Sequence, residues 1–231
     1  MSLSNFSKNS TEAGFTLVEI AIVLVIIGLL LGGVLKGQEM ITQAKIKNIV
    51  NDFNGITVAV TSYQDRYRAI PGDDLNATAR WTVQNPASGN GNGIIAGLYN
   101  ALSGASAPAS TAESNLFWQH LRIAGFVPGL TTGAGSGTQP TNAAGGMIGV
   151  ESGAPGTNGL GFTSLIVCFA NLPEKVASAV DGQMDDANPA SGQIRGQLQT
   201  TANPPTAINA GGAATAYVET GVNQYLLCKN L

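Results

Sequence analysis

The first indication of the fold is the sequence of residues 15–35, FTLVEIAIVLVIIGLLLGGVL. Its twenty-one positions contain a single charge, Glu19. At 1.5 Å per residue, an α-helix of this length extends about 30 Å, which matches the hydrocarbon core of a bilayer. The segment therefore predicts a helix that can span a membrane. Two ordinary interpretations of such a segment are a single-span anchor and a secretory signal peptide.

The residues on either side of the apolar run do not fit a secretory signal peptide. Such a peptide has a positive region, a short apolar run and then a cleavage site formed by small residues. The leader MSLSNFSKNSTEAG contains one Lys and one Glu, and no small-x-small site follows the apolar run. The signal-peptide interpretation fails on both points.

Glu19 also argues against a plain anchor, since a carboxylate at the bilayer centre costs roughly 2.5–3.5 kcal/mol by insertion scales. It lies four residues after Phe15, near one end of the segment. A cut between Gly14 and Phe15 would create an α-amino group about one turn from Glu19. That amine could neutralise the carboxylate of a neighbouring copy and remove most of the burial cost, which predicts that copies pack side by side.

The motif GFTLVE at residues 14–19, followed directly by the apolar run, resembles the class III signal of type IV pilins and type II secretion pseudopilins. In that family a prepilin peptidase cleaves after the Gly and methylates the new N-terminal residue. The resemblance implies that Gly14 precedes the cut, Phe15 becomes the methylated terminus and Glu19 is the assembly carboxylate. Many pilins have a helix-breaking proline where this chain has Lys36, so melting of the helix on assembly stays an open question.

Beyond Lys36 the pattern stays helical but becomes amphipathic. Seven apolar positions recur at alternating steps of three and four: Ile46, Ile49, Phe53, Ile56, Val60, Tyr63 and Tyr67. This stripe spans only three heptads, so it predicts the core of a globular head rather than a coiled-coil dimer. Pro71 disfavours α geometry before it, and a helix over residues 15–68, roughly 80 Å long, is expected.

After Pro71 the composition shifts to Gly, Ala, Asn, Ser and Thr. Together with the cut after Gly14 and the end of the apolar run at Lys36, this shift divides the chain into four parts. They are a leader (1–14), a membrane or filament-core helix (15–36), its amphipathic continuation (37–70) and a head (71–231). A capping box at residues 110–113 predicts a short helix closed by Gly125. Strands are predicted at residues 160–170, 193–198, 213–219 and 224–228. A long helix followed by antiparallel strands gives an α+β fold, which is also the layout of the family that the N-terminus resembles.

Cys168 and Cys228 are the only cysteines of the chain. In an exported head two cysteines oxidise, whereas in the cytosol they more often stay buried thiols. Pilins commonly close a C-terminal loop with a disulfide, so the resemblance implies this pair here. A bridge that closes about 60 residues would stabilise the head by roughly 4 kcal/mol in the chain-entropy account.

Residues 88–95, SGNGNGII, have the alternating oxygen and glycine pattern of a calcium loop. Asn90 and Asn92 would be ligands there, and Asp73 and Asp74 could add carboxylates if the two segments converge. The asparagines carry no charge and no Glu stands at the twelfth position. A plain glycine-rich loop is the favoured interpretation, with calcium as the alternative cofactor.

Two further groups could carry chemistry. His120 has no nucleophile motif nearby, so a surface or capping histidine is favoured over a catalytic one. Asp181, Asp185 and Asp186 form an acidic cluster that solvated loop charges explain, with a second calcium site as the alternative. Neither group predicts an enzyme.

The composition excludes a nucleic-acid binder driven by bulk positive charge, because the net charge is −3 and charged residues make up only 11 % of the chain. The resemblance implies a structural subunit that is inserted in the bacterial inner membrane among its lipids. An inner-membrane assembly platform would then polymerise copies into an extracellular type IV pilus for adhesion, motility or DNA uptake. The alternatives are a pseudopilin in a periplasmic pseudopilus and a membrane-anchored binding or enzymatic domain with the same signal. The sparse charges of the head argue against the enzyme.

Overall fold

The structure is a computed structural model that describes residues 14–101, 112–133, 135–153, 159–199, 208 and 216–231. The chain divides into two compact units, residues 1–43 and 44–231. The helices are α1 (Leu17–Tyr67), α2 (Ala77–Arg80), α3 (Glu113–Ile123) and α4 (Glu174–Met184), with a 3₁₀ turn at Gly159–Gly161. The strands are β1 (Ile148–Ser152), β2 (Leu165–Pro173), β3 (Ile194–Leu198) and β4 (Gln224–Asn230).

The first unit contains the apolar beginning of α1. Every residue from 14 to 36 is exposed. Apolar side chains surround this part of the helix on all sides, so it has no polar face to present to water. Such a helix needs lipid or other apolar helices around it.

The later part of α1 supplies the core of the second unit. Six members of the predicted stripe are buried and the seventh, Tyr67, packs against them at the edge of the core. Phe53 stacks on Phe169 of β2 with ring centroids 3.9 Å apart. The prediction that the stripe forms the core of the head is confirmed. The helix ends at Tyr67, and Arg68 adopts the left-handed region with φ of 55°.

The four strands form one antiparallel sheet in the order β1-β2-β4-β3, so the predicted α+β class is confirmed. Side chains of β2 alternate between two buried clusters because successive residues of a strand point to opposite faces. Val167 and Phe169 join the cluster of α1, while Ile166 and Cys168 join a smaller one. Both faces of the sheet are therefore covered.

The strand predictions were correct in part. Residues 193–198 and 224–228 correspond to β3 and β4, but the strand expected from residue 160 begins at Leu165. Leu160 and Gly161 have φ of 54° and 80°, which form a turn rather than a strand. The strand expected at 213–219 is wrong for residues 216–219, which are irregular, and residues 213–215 lie outside the described part.

Three of these helices and strands were not predicted: α2, β1 and α4. The sequence of α4, EKVASAVDGQM, is short and has few large apolar residues. Its Glu174 accepts hydrogen bonds from the backbone N–H groups of Gly221 and Asn223. This contact fixes the segment before β4, so α4 is stabilised by tertiary contacts more than by its own pattern.

The predicted capping box of α3 is wrong. The N-cap is Ala112, which makes no side-chain cap hydrogen bond, and Ser110 and Thr111 lie outside the described residues. The Glu113 carboxylate instead accepts the backbone N–H groups of Asn90 and Ala96, at 3.0 and 2.8 Å. At the other end the prediction is confirmed, since Gly125 follows the helix with φ of 82°.

Candidate assembly site

The segment that the sequence marks for processing lies outside the regular part of α1. Gly14, Phe15 and Thr16 have no helical assignment, and the helix begins at Leu17. The Phe15 side chain is 84 % exposed. The bond between Gly14 and Phe15 therefore lies in irregular, exposed backbone, where a peptidase can reach it.

The Glu19 carboxylate is held by Thr16. Oε2 of Glu19 accepts hydrogen bonds from both the backbone N–H and the hydroxyl of Thr16, each at 2.8 Å. The Glu19 N–H donates in return to Oγ1 of Thr16 at 3.3 Å. This reciprocal pattern is a capping box with Thr16 as N-cap. Sequence reasoning missed Thr16, although the signature T-x-x-E at residues 16–19 could have revealed it.

An extended apolar surface follows this carboxylate. The large apolar side chains of residues 17–35 are between 45 % and 86 % exposed. An 18-residue window of α1 has a mean hydropathy of 2.8 and none of it is buried, so the helix is long and apolar enough to cross a membrane. Exposed apolar patches of this size mark contacts with lipid or protein.

The comparison with protein families gives a match that coincides with this region. The prokaryotic N-terminal methylation motif matches residues 9–35. The chain therefore carries the class III signal of type IV pilins and pseudopilins, which supports a precursor of that type. The motif implies processing by prepilin peptidase and assembly into filaments, and together with the apolar helix it fits a membrane-anchored precursor. The family of proteins to which this motif belongs is structural rather than enzymatic.

The match ends before the head begins. Neither the comparison with curated proteins nor that with solved structures found a match. The second unit, residues 44–231, comprises the predicted head and the part of α1 that packs on it, and is called the head below; its own geometry is the guide to its function.

A disulfide joins Cys168 of β2 to Cys228 of β4. The two residues are directly opposite each other in the antiparallel register, with Cα atoms 4.1 Å apart, and both are fully buried. The bridge links the two central strands of the sheet. The loop that the disulfide closes contains α4 and β3.

The glycine-rich loop and Asp73 do converge. Oδ1 of Asp73 accepts the N–H groups of Gly91 and Asn92 at 2.6 and 3.2 Å, and Oδ2 accepts that of Gly93 at 2.7 Å. The side-chain oxygens of Asn90 and Asn92 accept backbone N–H groups two residues further on. The oxygens considered as calcium ligands thus accept backbone hydrogen bonds, so the loop is folded around a carboxylate.

Asp74, the second carboxylate considered for that site, has other partners. It accepts hydrogen bonds from Arg80, from the Tyr63 hydroxyl at 2.7 Å and from the Asn76 N–H at 2.9 Å. Burial disfavours the charged form, but these hydrogen bonds outweigh it and hold the pKa of Asp74 below its usual range. Asp74 therefore connects α1 with α2 inside the head.

His120 is fully buried, so of the two favoured interpretations, a surface or a capping histidine, the surface one is wrong. Its Nδ1 accepts the Gly72 N–H at 2.9 Å, and Nε2 lies 2.9 Å from the carbonyl oxygen of Ala87, to which it donates. The ring is stacked against Tyr63 with an angle of 8° between the planes. Burial lowers the pKa of His120 and keeps the imidazole neutral. Through these two hydrogen bonds, His120 connects α3 to Gly72 and Ala87.

The acidic cluster at the C-terminal end of α4 is the group among the described residues whose carboxylates could hold a metal ion. One carboxylate oxygen from each of Asp181, Asp185 and Asp186 lies within 4.8 Å of the others. Asp181 is buried, accepts the Tyr217 hydroxyl at 2.5 Å and has its pKa raised by burial and by the two neighbouring acids. Asp185 and Asp186 accept hydrogen bonds from the turn before β3. Oδ2 of Asp181 is thus taken by Tyr217, whereas its buried Oδ1 accepts no hydrogen bond from the described residues.

Proposed function

We propose that this chain is a structural subunit of a type IV pilus, cleaved after Gly14 and methylated at Phe15. Copies polymerise through the apolar part of α1, and the head covers the filament. The observation that carries the proposal is the exposed apolar helix of residues 17–35 with a single carboxylate at its beginning. Such a helix is soluble only in lipid or against other copies.

Glu19 is the contact that orders the copies. Its carboxylate would accept the methylated amine of a neighbouring Phe15, and the pair would be surrounded by apolar side chains. Removing one partner of a buried ion pair costs about 3–5 kcal/mol, because the other charge is left uncompensated. The pair therefore fixes the axial position of each subunit as well as stabilising it.

The test combines mass measurement with imaging of surface filaments. Intact-mass analysis should show a mature chain that begins at methylated Phe15. Glu19→Ala should reach wild-type levels in the membrane and yet reduce filament yield more than 100-fold. Glu39→Ala is the matched control, since Glu39 lies on the same helix and pairs only with Lys36 at an exposed site. A mature protein that keeps residues 1–14, or wild-type filament yield from Glu19→Ala, would refute the proposal.

One observation favours a second candidate, the pseudopilin of a secretion system. Pseudopilins can rely on calcium for the rigidity of the head, and the cluster of Asp181, Asp185 and Asp186 has suitable spacing for a cation. Deleting the gene separates the candidates. Loss of surface filaments supports the pilus subunit, and loss of secreted proteins with intact surface filaments supports the pseudopilin.

A further inference from the structure

The glycine-rich loop contains two consecutive Asn-Gly pairs, Asn90-Gly91 and Asn92-Gly93. Such a pair is prone to deamidation, because glycine has no Cβ to shield its backbone nitrogen. The nitrogen of the glycine attacks the side-chain carbonyl carbon of the asparagine, the C–NH₂ bond breaks, ammonia leaves with the proton and a succinimide ring forms. Water then opens the ring to aspartate or isoaspartate. All four residues are exposed, so water can reach them.

The first step of this reaction requires a glycine nitrogen that has lost its proton. In the folded chain both glycine N–H groups are bound by one carboxylate. The Gly91 N–H donates to Oδ1 of Asp73 at 2.6 Å, and the Gly93 N–H donates to Oδ2 at 2.7 Å. Asp73 is only 4 % exposed, so water competes little for these oxygens. A carboxylate this close opposes a second negative charge on either nitrogen.

We infer that this loop is a latent modification site and that Asp73 protects Asn90 and Asn92 from deamidation in the folded chain. The carboxylate holds the nucleophile of each pair in its protonated form. Deamidation would place a new negative charge in the loop that Asp73 holds, and it would therefore also weaken the contact that folds the loop. The inference does not depend on the proposed function, because it concerns the covalent chemistry of the head alone.

The two pairs are not protected equally. The Gly91 N–H has a second acceptor, the backbone carbonyl oxygen of Asp73, at 3.1 Å. For the Gly93 N–H, Oδ2 of Asp73 is the one acceptor among the residues that the structure describes. Removing the carboxylate would leave Gly91 with one hydrogen-bond partner and Gly93 with none. The structure therefore predicts that Asn92 depends on the carboxylate more than Asn90 does.

A third Asn-Gly pair, Asn54-Gly55, offers a comparison within the same chain. It is also exposed, but it lies inside the regular helix α1. The N–H of a residue within an α-helix donates to the carbonyl oxygen four residues earlier, so protection of Asn54 does not involve Asp73. A fourth pair begins at Asn158, which lies outside the described residues.

The test is peptide mapping by mass spectrometry of the full-length protein, kept in detergent in mildly alkaline buffer. Asp73→Ala removes the carboxylate and keeps the backbone carbonyl group. Glu174→Gln is the matched control, because the Glu174 carboxylate also accepts backbone N–H groups, those of Gly221 and Asn223. The wild-type chain in denaturant gives the unprotected rate at each asparagine.

We expect Asp73→Ala to accelerate deamidation at Asn92 by roughly tenfold to a hundredfold, the factor that corresponds to one hydrogen bond to a charged group. Asn90 should be accelerated by a smaller factor, and Asn54 should keep its wild-type rate. Glu174→Gln should leave all three rates unchanged. In the wild-type chain, both loop asparagines should deamidate at least about tenfold more slowly when folded than in denaturant.

A second variant covers the case in which Asp73→Ala does not fold. Asp73→Asn keeps the shape of the side chain and removes its charge, so it should also accelerate Asn92 more than Asn90. Three results would overturn the inference. They are a wild-type rate at Asn92 in a folded Asp73 variant, equal rates for the folded and denatured wild-type chain, and an equal acceleration in Glu174→Gln, which would assign protection to the general stability of the head.

Discussion

Two segments of α1 both carry large apolar side chains but have opposite environments. Large apolar side chains at residues 17–35 are 45–86 % exposed, whereas the buried members of the stripe between Ile46 and Tyr63 are 0–7 % exposed. The difference follows from how apolar and polar residues are distributed around the helix in each segment. The stripe has a polar side that faces water while the apolar side packs on the chain's own sheet, and residues 20–35 are uncharged on every side.

The two segments of α1 are therefore suited to two kinds of apolar partner. The stripe finds its partner within the same chain, so its burial contributes to the stability of the head. Residues 17–35 have no partner among the described residues, so their apolar surface is available for lipid and for other copies.

Truncating one side chain in each segment should separate stability from assembly. Phe53→Ala removes a fully buried ring that stacks on Phe169, and we expect the free energy of unfolding of the head to fall by about 3–5 kcal/mol. Leu24→Ala removes an exposed side chain, so the stability of the head should stay within about 0.5 kcal/mol while filament yield falls. Denaturant unfolding in detergent measures the first effect and filament yield the second. A large loss of head stability in Leu24→Ala would contradict the division.

The disulfide should stabilise the head far more than calcium does. Replacing Cys168 and Cys228 together by Ser should lower stability by roughly 4 kcal/mol, or about 8–16 °C in melting temperature for a unit of this size. Chelation should change the melting temperature little, since the oxygens around Asp73 accept backbone hydrogen bonds. The measurement is thermal melting of the oxidised, reduced and chelated protein. A large fall on chelation alone would show that the Asp181 cluster binds a cation and would favour the pseudopilin.

Asp73→Asn should loosen the glycine-rich loop. The carboxylate accepts three backbone N–H groups, whereas an amide offers one oxygen and sets an NH₂ group against a donor. We expect a loss of about 1–3 kcal/mol. Hydrogen exchange of the amides of Gly91 and Gly93 should rise in the variant, and added calcium should not restore protection. Unchanged exchange would mean that other contacts hold the loop.

The smallest expected effect is the loss of stability that His120 causes at acid pH. The folded state lowers the pKa of this imidazole below its ordinary value of about 6.5. Its contribution to stability is therefore complete above pH 6.5 and is lost progressively as the pH falls towards the lowered value, by at most about 1.4 kcal/mol per pH unit. Denaturant unfolding at pH 7.5, 6.5 and 5.5 measures this slope. In His120→Gln the slope over this range should flatten, and an unchanged slope would assign it to other groups.

Much of the molecule could be predicted from local patterns. The long helix, its buried stripe, strands β3 and β4 and the Gly125 helix end all follow from periodicity and from turn residues within a few positions of one another. The methylation motif was identifiable for the same reason, since residues 14–19 and the apolar run are contiguous. Thr16 belongs to the same category, since the T-x-x-E signature at residues 16–19 is equally local.

The errors concern residues whose partners are distant in sequence. Glu113 has the spacing of a capping box, but its carboxylate accepts the amides of Asn90 and Ala96, which are distant in sequence. His120 was expected to be a surface or capping residue because no nucleophile motif lies near it, yet it is buried and Gly72 and Ala87 supply its hydrogen bonds. Helix α4 is too short and too weakly patterned to be recognised without the contacts of Glu174.

The sequence by itself determined the elements whose energetics are local: an apolar helix that needs lipid or copies of itself, a cleavage motif and an amphipathic stripe. Only the tertiary structure decided which polar groups are buried and with whom they pair. The physical reason is that a buried carboxylate or imidazole is stable only when donors and acceptors from other segments reach it. Asp73 shows this most clearly, since the amides of residues 91–93 meet it only after the chain has folded.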